Sequence, residues 1–134
     1  MDGKSYLMEI GARLGGDFIS TELTHISTCI VMVAASINVA LGVKPDLSVK
    51  EVPKGVCIRY FCLKPGKLVS ITSTEILNDS RVYLWEIYHK EGDMIPEVTS
   101  SLSRSGHVIV TEDTPEKAIK LAEEITGKVE FKTV

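Results

Sequence analysis

The longest apolar pattern lies in the first third of the chain. Apolar side chains recur there at helical spacing, and the other side is apolar as well. We therefore predict one long helix, from about His25 or Ser27 to Leu41, that is buried on most of its surface. Gly42 and Pro45 are suited to end it. The uncharged stretch contains Ser, Thr and Asn, which favours a core helix over a membrane span.

Six shorter runs of apolar and β-branched residues, separated by turn-forming residues, predict strands. One precedes the long helix and five follow it. They are Ser5–Ile10, Val56–Leu63, Lys67–Thr72, Arg81–His89, His107–Thr111 and Lys128–Thr133.

Local signals predict how the later elements connect. The turn Lys64-Pro65-Gly66 predicts a hairpin between the two strands that flank it. Thr114 and Pro115 suit the N-cap and first position of a second helix, which we expect to end at Gly127. The apolar face of this helix is Ala118, Leu121, Ala122 and Ile125.

These elements predict an α+β fold in two parts. Residues 1–45 form the first part, 46–55 a polar linker, and 56–134 a β-rich subdomain with a closing helix and strand. Asp2-Gly3 is a hairpin signal with a strand after it and none before it. We expect the chain to begin inside a larger sheet, with an open edge on its first strand.

Composition excludes several classes of protein. The 134 residues suffice for one hydrophobic core, and the formal net charge is only −3 without a basic stripe, which argues against nucleic-acid binding. No signal peptide is apparent. The three cysteines, Cys29, Cys57 and Cys62, form no Cys-x-x-Cys pair, so we expect reduced thiols in a cytoplasmic protein rather than a zinc site.

The run from Tyr6 to Asp17 is the strongest candidate for chemistry. It places a carboxylate, Glu9, and a guanidinium, Arg13, beside a glycine-rich turn. Mg²⁺ takes carboxylate and phosphate oxygens, and arginine holds phosphate or acyl phosphate through paired hydrogen bonds. Glycine allows the backbone to approach a ligand closely. The alternative is an exposed glutamate and a surface arginine in a loop.

The same run resembles the second metal-binding strand of ATP-grasp ligases, with a pattern of Glu-x-Asn-x-Arg followed by Gly-Gly. With Gly11 in the asparagine position it is similar to the carboxylate–amine ligase branch, which includes L-amino-acid ligases and carbamoyl-phosphate-synthase-like proteins. The likeness continues through four further segments and covers nearly the whole chain, but only about the last third of a complete enzyme. Those segments are His25-Ile-Ser-Thr, the helix end Ala40-Leu-Gly42-x-x-Pro45, Pro65-Gly66-Lys67 and Ser103-Arg-Ser-Gly-His107.

The resemblance implies roles for individual residues. Glu9 would be a ligand of the Mg²⁺ that holds the phosphates of ATP, and Arg13 would bind ATP and hold the substrate carboxylate or acyl phosphate during catalysis. Four residues would contact substrate, and the closing segment with Arg104, Gly106 and His107 would be mainly structural. The substrate-contacting residues are Gly15, Gly16, Asp17 and His25.

The chain also departs from the family pattern. The family has Ser-Thr-Gly-Ile-Asp where this sequence has Cys29 and Val31 in place of the glycine and aspartate. The upstream lysines, the flap over the phosphates and the first metal-binding glutamate are missing. One carboxylate and one arginine do not supply both the phosphate clamp and the metal neutralisation of phosphoryl transfer. We therefore expect the chain to be inactive in isolation.

Two functions remain open at this stage. The first is a fragment or split subunit of an ATP-dependent carboxylate–amine ligase, completed by a separate chain that carries the N-terminal lobes. The alternative is a non-catalytic assembly module that forms a homo-oligomer through its open N-terminal strand edge. An enzyme of another class has little support, since no Ser–His–Asp, Cys–His or paired-carboxylate constellation is present.

Overall fold

The computed structural model describes residues 6–49 and 51–134. A π-helical turn, Ile19–Leu23, leads into two short helices, and the rest of the described chain is β-rich with one long helix. The helices are α1 (Thr24–Thr28), α2 (Met32–Ala40) and α3 (Pro115–Lys128), and the strands are β1 (Gly55–Phe61), β2 (Gly66–Thr72), β3 (Val82–Ile87), β4 (Met94–Ile95), β5 (Gly106–Glu112) and β6 (Glu130–Thr133).

The strands form two antiparallel sheets of three strands each. The first has the order β1-β5-β3 and the second β4-β2-β6. Strand β5 lies in the centre of the first sheet, and its Val108, Ile109 and Val110 are fully buried. Helix α3 packs on β1 and β5 and closes the core. These observations confirm the predicted α+β class and the positions of the later strands to within a few residues.

Helix α3 follows the sequence prediction closely. The Thr114 side chain accepts a hydrogen bond from the Lys117 backbone N–H at 3.4 Å, and Pro115 occupies the first turn. This cap satisfies a donor that the start of a helix leaves without an intrahelical partner. The helix continues one residue past the predicted end, to Lys128. Its buried residues are the predicted Ala118, Leu121, Ala122 and Ile125.

The predicted hairpin around Lys64-Pro65-Gly66 is wrong. Strand β1 pairs with β5, from Gly55 opposite Glu112 to Phe61 opposite Gly106. Strand β2 instead pairs with β4 and β6 in the other sheet. The Pro-Gly connection therefore takes the chain from one sheet to the other, because pairing partners distant in sequence determine where each strand lies.

The predicted long, buried helix is also wrong. It is divided into α1 and α2, and the helical segment Ile19–Thr28, which contains α1, differs in direction from α2 by 112°. Cys29 adopts a left-handed conformation with φ of 60°, which ends α1. In α2 only Ala35 is buried, while Ile37 and Val39 are 56% and 63% exposed. In the described part of the chain, no single helix is long and apolar enough to cross a membrane.

The predicted first strand has no counterpart in the part that the structure describes. Residues 6–10 form neither helix nor strand, and Met8 is 92% exposed. Ser5 and the Asp2-Gly3 turn lie outside the described residues. A strand needs a hydrogen-bonded neighbour, and an apolar sequence pattern does not provide one. The linker residues 46–49 and 51–54 have no regular structure, and the division into two parts stays a prediction.

Candidate functional site

The two residues predicted to bind metal and phosphate are exposed. Glu9 and Arg13 both lie on the surface, and the Arg13 Nη1 donates to the Leu14 carbonyl at 3.0 Å. No ion pair in the described part of the chain joins them. The predicted substrate residue His25 is exposed near the start of α1. All three side chains are exposed to solvent. The roles predicted for Glu9, Arg13 and His25 stay predictions.

The glycine loop is held by contacts with the helical turn that follows it. The Gly15 carbonyl accepts from the Ser20 hydroxyl at 2.9 Å, and the Gly16 carbonyl from the Ile19 N–H at 3.0 Å. A Cβ at Gly15 would lie 3.0 Å from a methyl carbon of Ile19, whereas Gly16 has nothing within 4 Å of that position. The loop thus presents an open backbone surface at Gly16.

Asp17 ties this loop to the β-rich part of the molecule. Its carboxylate accepts from Arg104 Nη1 at 3.0 Å, and the Arg104 guanidinium lies 3.8 Å from the centre of the Tyr60 ring. The Tyr60 hydroxyl donates to the Asp17 carbonyl at 3.5 Å. The neighbouring carboxylate raises the pKa of Arg104. The arginine is therefore held between an opposite charge and an aromatic face.

Phe18 makes a second connection, to a buried histidine. Its ring lies 4.4 Å from that of His107, and the Tyr88 hydroxyl is 2.8 Å from His107 Nδ1. His107 is 1% exposed, and its Nε2 has no hydrogen-bond partner in the part of the protein that the structure describes. Burial lowers the pKa of His107, which favours the neutral ring.

The backbone at the junction is strained. Asp17 and Phe18 have φ angles of 52° and 64°, in the left-handed region that residues other than glycine seldom adopt. Such conformations cost about 1 to 3 kcal/mol each and persist only when surrounding contacts impose them. Here the contacts are the Arg104 ion pair and the His107 ring. These contacts therefore hold Asp17 and Phe18 in one defined backbone conformation.

A groove of about 820 Å³ begins beside this cluster. The consecutive residues 60–64 line part of it. Residues of β2 and β6, among them Ser70 and Lys132, also line it. Tyr60 thus belongs both to the groove and to the Arg104 contact.

The described residues do not form a complete metal site. No three His, Cys, Asp or Glu side chains among them are grouped to hold a metal ion. Mg²⁺ is commonly bound through one or two carboxylates together with phosphate oxygens and water. The exposed Glu9 carboxylate fits the role of one such ligand and no more.

Sequence reasoning identified part of this cluster. The motif from Ser103 to His107 pointed to Arg104 and His107, and the glycine loop pointed to Asp17. Tyr60 and Tyr88 were missed, since they lie on or beside strands far apart in sequence and no local signal marks them. Phe18 was also missed, since it lies between the predicted first strand and the predicted long helix. The sheet pairing of β5 with β1 and β3 brings Tyr60, Tyr88 and His107 together.

Two larger proteins are among the solved structures that share the fold. The L-amino acid ligase from Bacillus licheniformis matches with a TM-score of 0.74 and 17% identity over 96% of this chain and 33% of its own. The phosphoribosylglycinamide synthetase from Anaerococcus prevotii matches with a TM-score of 0.67 and 21% identity over 91% of this chain and 32% of its own. The chain therefore spans about a third of the length of each.

No curated protein matches the sequence. A family model gives a more specific result than the two structures. The family model described as L-amino acid ligase C-terminal domain 2 matches residues 59–134, more than half of the chain. The family match and both structural neighbours confirm the resemblance to the C-terminal part of ATP-grasp ligases. The chain belongs to the L-amino acid ligase C-terminal domain 2 family.

Proposed function

We propose that this chain is the C-terminal portion of an ATP-dependent carboxylate–amine ligase, a fragment or split subunit that is not competent alone. The observation that carries the proposal is that two ligase-type structures contain nearly all of this fold as one third of a larger molecule. The remaining two thirds would come from a separate chain that carries the N-terminal lobes.

The exposed apolar surface of the first part supports this reading. Several large apolar side chains of residues 6–49 are more than half exposed, which is typical of a surface that another element covers. A solvent-facing helix would carry polar side chains there instead. The exposed side chains include Leu7, Met8, Ile10, Val31, Ile37, Val39 and Leu41.

The chemistry proposed for the chain rests on two side chains. Glu9 would contribute one carboxylate to the magnesium site, and Mg²⁺ when bound neutralises charge on the ATP phosphates. Arg13 would hold the substrate carboxylate through two parallel hydrogen bonds and keep it in place once it is an acyl phosphate. In the complete enzyme the carboxylate would attack the γ-phosphorus of ATP and ADP would leave. The amine nitrogen would then attack the acyl carbon, lose a proton and displace phosphate, which forms the amide.

Assembly with a copy of itself is the second candidate function. The exposed apolar side chains of residues 6–10 favour it, because a second copy of the chain could bury them at an interface. The described residues there do not form the strand edge that the sequence suggested. Sedimentation at high protein concentration tests this candidate, and a monomer across the whole range contradicts it.

Calorimetric titration with Mg·ATP tests the ligase proposal. We expect magnesium-dependent binding that is lost in Glu9→Ala and kept in Glu97→Ala, which removes another exposed carboxylate. Incubation with ATP and amino acids is expected to release no ADP. Unchanged binding in Glu9→Ala, absence of binding at any accessible nucleotide concentration, or ligation by the isolated chain would each contradict the proposal.

A further inference from the structure

We propose that the groove between β1 and β6 binds an extended, acidic peptide segment of a partner protein as an added β-strand. The inference goes beyond the proposed function and uses none of the residues assigned to ATP, magnesium or substrate. The peptide backbone would form hydrogen bonds with both strand edges, and its carboxylates would lie near two lysines that line the groove.

The groove lies between an edge strand of one sheet and an edge strand of the other. Strand β1 ends the order β1-β5-β3, and β6 ends the order β4-β2-β6. Residues 60–64 at the end of β1 and residues 130–133 of β6 line the groove of about 820 Å³. Because neighbouring side chains of a strand point to opposite faces, lining by consecutive residues means that the strand edges themselves form part of its walls. The volume is within the range of about 300 to 1,000 Å³ that is typical of ligand sites.

The backbone at the β1 wall has hydrogen-bonding groups that face the groove. On the side toward β5, the Phe61 carbonyl accepts from the Ser105 N–H at 2.7 Å, and the Leu63 N–H donates to the Ser105 hydroxyl at 3.5 Å. Cys62 lies between Phe61 and Leu63, and its N–H and carbonyl form no backbone hydrogen bond within the described part of the chain. Since successive residues of an extended chain direct these groups to opposite sides, those of Cys62 face the groove.

The β6 wall has the same kind of open edge. Val134 and Lys67 exchange two backbone hydrogen bonds, at 2.8 and 3.1 Å, which directs both groups of Val134 toward β2. By the same alternation, the N–H and carbonyl of Thr133 face the open side of β6. Open strand edges are templates on which an added strand pairs. A peptide strand between these two edges would form hydrogen bonds on both sides and join the two sheets.

The side chains that line the groove determine which peptide fits. The Phe61 and Phe131 rings, one from each wall, lie 5.2 Å apart and contribute to the hydrophobic core. They provide an apolar surface for every second side chain of an added strand, because side chains of a strand alternate between its two faces.

The charges around the groove favour carboxylates at the other positions of the peptide. Lys64 and Lys132 line the groove and are exposed, and neither forms an ion pair with another described residue. The one acidic lining residue in the described chain is Glu130, which accepts from the Thr72 hydroxyl at 3.5 Å. Positive charge therefore exceeds negative charge around the groove, and an acidic peptide is complementary to it.

The test is an NMR titration of the ¹⁵N-labelled full chain with the peptide acetyl-Glu-Val-Glu-Val-Glu-amide. Two control peptides change one feature each: the first has lysine in place of glutamate, and the second has N-methylated valines, which lack the backbone donors of one edge. We expect saturable shifts at Cys62 and Thr133 with the acidic peptide, and binding weaker by about tenfold or more with both controls. The double variant Lys64→Glu with Lys132→Glu should also bind about tenfold more weakly, because two attractions become repulsions. Lys67→Glu reverses an exposed β2 lysine that does not line the groove, and it should leave binding nearly unchanged.

Four results would overturn the inference. They are no saturable shift at these residues, equal binding of either control peptide, undiminished affinity in the double lysine variant, and shifts at the same residues when the chain is concentrated without peptide. The last result would mean that a second copy of the chain fills the groove. The control peptides are tested on the unaltered chain, so the inference stays open to refutation if the double variant does not fold. The titration contains no nucleotide, and its outcome is therefore separate from that of the Mg·ATP titration.

Discussion

Replacement of Gly55 by alanine should be the most damaging small substitution at the junction of β1 and α3. A Cβ at Gly55 would lie 2.1 Å from both the carbonyl carbon and the oxygen of Thr114, and 2.5 Å from the Pro115 nitrogen. These are backbone atoms of the helix cap and cannot rotate away. Forcing a methyl group into a packed site costs about 1 to 3 kcal/mol, and a displaced cap adds about 1 kcal/mol. We expect a loss near the upper end, roughly 3 kcal/mol, or about 10 °C in Tm for a chain of this size.

The assay is urea denaturation followed by circular dichroism, with Gly127→Ala as the matched control. Gly127 lies in α3 with nothing within 4 Å of its Cβ position. Alanine there should stabilise the chain by roughly 0.5 to 1 kcal/mol, because it lowers the entropy cost of forming the helix. A loss below about 1 kcal/mol in Gly55→Ala would mean that β1 does not pass this close to the cap. An equal loss in both variants would show that the effect is not local.

Three further outcomes follow from named contacts. Thr114→Ala should lower the free energy of unfolding by about 1 kcal/mol in the same denaturation assay, because the N-cap hydrogen bond is lost. Burial lowers the pKa of His107, so below about pH 6.5 the unfolded chain binds the proton more readily than the folded one. Stability should therefore fall as the pH drops below this value, and thermal melts of His107→Phe should show a shallower fall. Cys29 has φ of 60°, a conformation that glycine adopts without a Cβ penalty. The free energy of unfolding from urea denaturation should therefore be about 1 kcal/mol higher for Cys29→Gly than for Cys29→Ala.

The parts of the fold that sequence predicted correctly depend on local signals. Helix α3 has its cap, its proline and its apolar face within one continuous segment. The pairing of β1 with β5 depends on residues about fifty positions apart, and a turn signal beside β1 carries no information about it. The Lys64-Pro65-Gly66 turn is compatible with a hairpin and with a crossing between sheets, and only the distant partner strands decide between them.

The first part of the chain shows a different limit. Apolar periodicity over residues 26–41 predicted a buried helix, yet the described helices are broken at Cys29 and largely exposed. Periodicity records which face is apolar and not what covers it. The ATP-grasp pattern has glycine at the position of Cys29. The left-handed backbone conformation of Cys29 gives a physical reason for glycine there, because glycine adopts it without steric cost.

The candidate site was accessible from sequence only where a motif marked it. Asp17 and Arg104 each lay in a motif, but their ion pair joins residues 87 positions apart and was not predicted. The aromatic support from Tyr60 was likewise invisible, because it depends on how β1 faces the segment before β5. Chemistry-bearing residues were found from sequence, and their juxtaposition required the fold.

The most direct test of the central claim is NMR line broadening by Mn²⁺·ATP, which locates a weak metal–nucleotide site through paramagnetic relaxation. The proposed ligase role predicts nucleotide-dependent broadening confined to residues around Glu9 and Arg13. It should be lost in Glu9→Gln and unchanged in Glu97→Gln. Three results would contradict the claim that this chain contributes a metal- and phosphate-binding carboxylate to a ligase. They are unchanged broadening in Glu9→Gln, broadening spread over all acidic surfaces, and no broadening.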